Sequence, residues 1–154
     1  MAYDVEKITI ENAKIILKNF SANETKFDKK GEKRSFAVVI EDEVAAHDLK
    51  NQGWNVVEKT NKEGETFYKL PVEVSYKKKP PRIHMISGGR HTELDEESVG
   101  SLDYARFVKV DIVINPYVWD KDEHKIKAFL DELWVTIEPE KFSEKYRNLG
   151  VEGL

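Results

Sequence analysis

Lys14, Lys18 and Phe20 recur at alternate positions. So do Arg34 and Phe36, then Lys109, Tyr117 and Trp119 with Phe107, and later Lys127 and Phe129. Alternate residues share one face of a β-strand. Lys26, Phe27, Lys29, Lys30 and Lys33 fill the stretch between the first two groups. Cations track phosphates, and flat rings offer a surface on which any base can stack, at about 1–3 kcal/mol per base. The pattern therefore points to unpaired nucleic acid. Lys14, Lys18, Lys29, Lys30, Lys33 and Arg34 are the expected phosphate contacts. Phe20, Phe27, Phe36, Tyr117 and Trp119 are the expected stacking rings, with Lys109 on the Tyr117 face. A single strand aromatic is most often core, which is the expectation for Trp54 and Trp134. The run Lys77 to Lys79 before Pro80-Pro81 reads equally well as a solvated strand edge.

Catalytic chemistry finds less support. There is no Cys, so thiolate zinc sites, cysteine nucleophiles and disulfides are excluded. His47, His84, His91 and His124 show no metal-ligand spacing. Ser87-Gly88-Gly89-Arg90-His91 lacks the spacing and the Lys-Ser/Thr end of a phosphate cradle. Glu73 and Asp111 with Lys77 or Lys109 could be forced into a nuclease pattern, but with 35% charged residues such matches arise by chance. No catalytic residue, metal or cofactor is expected. The net charge of −4 is unevenly placed. Acids gather at Glu93, Asp95, Glu96, Glu97 and Asp103, and at Glu138, Glu140 and Glu144, away from the basic stretches, so the field is two-sided. The competing function is a protein-interaction module without nucleic-acid binding, an enzyme inhibitor or an assembly component, using that acidic surface.

The elements that must position these residues are mainly strands. Lys7 to Phe20 reads as a strand with a bulge or bend near Glu11-Asn12. Past it, Ala13, Ile15 and Leu17 are expected on one face and Lys14, Ile16, Lys18 and Phe20 on the other. Residues 21–33 read as a long basic loop. Arg34 to Ile40 is a strand, and Asp42 to Gln52 a helix capped by Asp42 and ended by Gly53, with Val44, Ala45 and Leu49 inward. Strands follow at Trp54 to Lys59, Phe67 to Lys77 and Arg82 to Ser87, with a helical turn over Asp95 to Leu102. Phe107 to Trp119 places Val108, Val110, Ile112, Ile114, Pro116 and Val118 on an apolar face. Lys125 to Ile137 returns, and a short helix is expected near 139–147, begun at Pro139.

No apolar run approaches the roughly 20 residues that span a bilayer, and the acidic start has no apolar signal core. The expectation is one soluble cytoplasmic domain over 1–154. Its strands and short helices suggest a mostly β fold, an OB-like antiparallel barrel, with a small β-sandwich as the alternative.

In segment order the chain resembles bacteriophage and prophage single-stranded DNA-binding proteins of the replication or recombination module. The resemblance rests on Ile10-Glu11-Asn12-Ala13, Lys18-Asn19-Phe20 and Arg34-Ser35-Phe36, then Gly53-Trp54-Asn55-Val56 and Leu70-Pro71-Val72-Glu73-Val74. Pro80-Pro81-Arg82-Ile83, Leu102-Asp103-Tyr104-Ala105, Asp111 to Trp119 and Ile126 to Leu130 continue it. It implies an OB-like fold and sequence-tolerant binding of single-stranded DNA, and it names no binding residue. Phage or host replication and recombination proteins are further candidate partners, as is a second copy in a homodimer joining two weak sites. No membrane partner is expected. The final residues, Asn148 to Leu154, lack the acidic tail that many such proteins carry.

Overall fold

The computed structural model describes residues 6–23, 31, 33–77 and 79–139. The expected contacts Phe27, Lys29 and Lys30 lie outside these residues, as does the expected C-terminal helix beyond Pro139. Among the described residues the chain forms β1 (Ile8–Ile10), β2 (Lys14–Asn19), β3 (Arg34–Ile40), α1 (Glu43–Asn51), β4 (Val57–Thr60) and β5 (Thr66–Val74). It continues with β6 (Arg82–Ser87), β7 (Arg90–Leu94), the 3₁₀ turn η1 (Val99–Tyr104), β8 (Phe107–Asp120) and β9 (Lys125–Ile137).

The fold is mostly β and OB-like, built on one nine-stranded sheet that does not close. Its path runs β1-β8-β9-β5-β3-β2, with β4 on β5 and the β6–β7 hairpin on β9. Long strands change partner along their length. One edge of β9 carries all of β8, while the other takes first the end of β5 and then β6. Both of the latter pairings are parallel, in a sheet expected to be antiparallel throughout. Ser75 to Pro81 joins β5 to β6 without reversing direction, so the two strands follow β9 in succession.

The break at Glu11-Asn12 falls where the alternation failed. Asn12 takes φ 53°, and the chain turns a corner there. β1 pairs with β8 and β2 with β3, while the Ala13 N–H donates to the Val110 carbonyl at 2.7 Å. α1 has its expected cap, Asp42 accepting from the Val44 N–H at 3.0 Å. Its inward stripe is Ala45, Ala46 and Leu49, one position round from the expected one, so Val44 is exposed. Gly53 adopts φ +106°, which glycine alone adopts without strain. A Cβ there would lie 1.7 Å from the His124 carbonyl oxygen. This close approach lets the Ile126 N–H reach the Gly53 carbonyl at 2.9 Å and seats Trp54 in the core.

Candidate nucleic-acid interface

Strand parity decides which expected contacts are available, and four register shifts reset it, one of which leaves Trp119 as an extra residue near the end of β8. In β2 the four residues Ile16 to Asn19 lie against only three of β3, Ala37 to Ser35. Leu17 takes φ 55° at this bulge and is turned outward. Lys18 and Phe20 swing to the core side as a result. Phe20 is fully buried and stacks on buried Phe36, centroids 5.4 Å apart. Neither ring can receive a base, which corrects both expectations. The Lys18 ammonium donates to the Leu102 and Ala105 carbonyls at 2.9 and 2.7 Å and lies 4.1 Å from the Phe107 ring centre. Burial lowers its pKa against the opposing pull of Asp103. Lys18 thus ties β2 to η1 and Phe107.

Arg34 is also engaged. Its Nε–H donates to the Phe20 carbonyl at 3.1 Å, its Nη1 lies 3.4 Å from Glu96, and the guanidinium sits 5.4 Å from the Tyr76 ring. Burial around Tyr76 pushes its phenol up to about 12, with Arg34 pulling the other way. In β8 the register shift between Phe107 and Lys109 turns Phe107 inward and exposes Val108, opposite to the expected faces.

The third bulge is in β9. Leu130 pairs with Ile114 and Glu132 with Val113, which leaves Asp131 as the extra residue. Before it Ile126, Ala128 and Leu130 face the core; after it Leu133 and Val135 do. Trp134, expected in the core, therefore faces outward at 39% exposure, whereas Trp54 is buried as expected. The sequence carries a signal for this reversal, since the apolar positions change from even to odd across the adjacent acids Asp131-Glu132.

Tyr117 and Trp119 remain as half-exposed rings on the outer face of β8. Tyr117 stands opposite Lys127 on β9 and packs edge-on against Phe129, centroids 5.8 Å apart. The Lys125 ammonium lies 5.4 Å from the Trp119 ring, held also by Glu123 at 2.8 Å, which raises its pKa. Beside this strip a cavity of about 190 Å³ is lined by Lys33, Ser35, Asn55, Pro71, Glu73 and Lys127, among others. Cross-strand registry makes one continuous row of Asn19, Ser35, Glu73, Phe129 and Asn115. The structure thus brings Lys33, Tyr117 and Trp119 to one side of the sheet, with Lys125, Lys127 and Phe129 completing the group. Lys14, though exposed, borders a different cavity, beside Ile8, Ile10 and α1. Lys109 lies at the opposite end of β8, 3.8 Å from Asp111.

A family model described as "Putative phage ssDNA-binding domain" matches residues 1–152. The chain belongs to this family. No curated protein matches it. Among solved structures it is similar to the single-stranded DNA-binding protein of bacteriophage Enc34 in complex with ssDNA, at 16% identity and TM-score 0.52 over 88% of this chain and 89% of that one. A C-terminal truncation of the Enc34 protein gives 15% identity and TM-score 0.51, over 87% of each chain. At these identities the likeness establishes the fold alone.

Proposed function

We propose that this protein binds single-stranded DNA without regard to sequence, on the outer face of the β8–β9 hairpin. The observation that carries the reading is the half-exposed pair Tyr117 and Trp119, beside Lys127 and the groove shared by Lys33 and Lys127. Bases would stack on the two rings. Phosphates would follow Lys125, Lys127 and Lys33, with Glu73 limiting how tightly they are held. Family membership and the Enc34 structure support binding as the whole activity, with no turnover. The expected setting is the cytoplasm of the bacterial host, where replication and recombination expose unpaired DNA. Tryptophan fluorescence titrated with oligo-dT at two salt concentrations tests this, with a duplex of equal length as control. Quenching by the single strand that weakens steeply with salt is expected. Equal response to the duplex, or none at low salt, would overturn the reading.

A further inference from the structure

His84, His91 and Trp134 form a ring stack that the interface above does not use. The indole lies nearly parallel to His84, centroids 3.9 Å apart and planes 14° apart, and to His91 at 5.3 Å and 17°. His84 Nδ1 and His91 Nε2 are 2.9 Å apart, so a hydrogen bond joins the imidazoles into one floor. The indole Nε1–H donates to Glu132 at 2.9 Å. His84 is buried, whereas Trp134 keeps 39% of its surface exposed, on the side the imidazoles leave uncovered. A ring tethered at its edge and floored on one face has little freedom left to lose when a second ring stacks on it.

The surrounding charges suit a phosphate chain. Asp111, opposite Trp134 on β8, accepts from the Asn12 N–H at 3.0 Å and lies 3.8 Å from Lys109. Glu132 is occupied by the indole and lies 3.7 Å from His84. Asp111 and Glu132 are thus already engaged within the protein, and exposed Glu93, opposite His84 on β7, is the acid that opposes a phosphate there. Arg82, opposite Glu132 and two residues before His84, and Lys109, beside Asp111, are exposed on the same face. The Asp131 bulge puts Trp134 on the same side of the sheet as Phe129, about 16 Å further along β9 at roughly 3.3 Å per residue.

We infer that Trp134, floored by His84 and His91, is a second stacking platform for an unpaired base. It is reached by the DNA strand that stacks on Tyr117 and Trp119, and it lengthens the site along β9. The inference rests on the reading that the chain binds single-stranded DNA, and the test separates the two. In Trp119→Phe the remaining indoles are buried Trp54 and Trp134, so fluorescence reports on Trp134. Anisotropy of labelled oligo-dT of about 16 nucleotides, the upper end of site sizes for such folds, reports binding independently. Expected are quenching of the Trp119→Phe protein on binding, a roughly 5- to 100-fold loss of affinity in Trp134→Ala, and recovery of much of it in Trp134→Phe. Binding without quenching, together with unchanged affinity in a folded Trp134→Ala, would overturn this platform and leave the first interface standing. Failure of the wild-type protein to bind the oligomer would overturn both.

Discussion

Two lysines of the same sheet, on β2 and β9, have opposite fates. Lys18 is spent on two backbone carbonyls and the face of Phe107. Lys127 stands exposed beside Tyr117 and the groove. Lys18→Ala is expected to cost about 1.5–3 kcal/mol of folding stability, as for hydrogen bonds to a charged group. It should leave the salt dependence of DNA binding unchanged. Lys127→Ala should leave stability nearly unchanged and reduce the slope of log K against log salt by about one. Denaturant melts and salt-titrated anisotropy on both variants check this, and a changed slope for Lys18→Ala would show that it meets phosphate after all.

At the scale of elements, much was legible and the losses have one cause. Strands β3, β6 and β9 fall at their expected bounds, and α1 at nearly its own, because alternation and caps are local signals. The β6–β7 hairpin was read only to its glycine turn, since Arg90 to Glu93 is polar throughout and shows no alternation. The faces of β2, β8 and β9 failed wherever a bulge reset parity, so Phe20, Phe107 and Trp134 exchanged sides. Phe36 failed for another reason: β3 is apolar on both faces, and alternation alone does not tell them apart. Only the β9 reset was marked in the sequence, by Asp131.

That residue does more than interrupt the pattern. Burial would raise the Asp131 pKa, but the hydrogen bond and charge of Lys7 at 3.1 Å, then the charge of Lys79 at 3.5 Å, hold it below the usual carboxylate range. Its folded value is thus below the unfolded value of about 3.9, so its contribution is complete above that pH and is lost as pH falls through the folded value. Asp131→Asn should be less stable than wild type at about pH 6, with the gap closing towards about pH 2. Denaturant titrations at the two pH values read this out, and a gap independent of pH would contradict it. The contact between Gly53 and β9 makes a second claim about elements. Gly53→Ala, which must move the His124 carbonyl, should cost about 2–4 kcal/mol, and a loss below about 0.5 would mean that the junction yields easily.

The whole molecule carries a net charge of −4 yet is assigned a polyanionic ligand. Local arrangement resolves the conflict. The cations nearest the rings are Lys125 and Lys127 on β9 and Lys33 just before β3, while Glu96 of the β7–η1 segment is paired with Arg34 at 3.4 Å. The length of β9 gives the surface its reach, because it is flanked by β8 on one side and by β5 and then β6 on the other. The likeness to the Enc34 protein accounts for the fold; the surviving rings are the proposed place on it where a base stacks. The central claim is that Tyr117 and Trp119 form that surface. The measurement that tests it most directly is the affinity of Tyr117→Ala/Trp119→Ala for oligo-dT at low salt, with folding stability confirmed in parallel. A loss of at least about thirtyfold is expected from two stacking contacts. Wild-type affinity in the folded double variant would contradict it and place the DNA on another face.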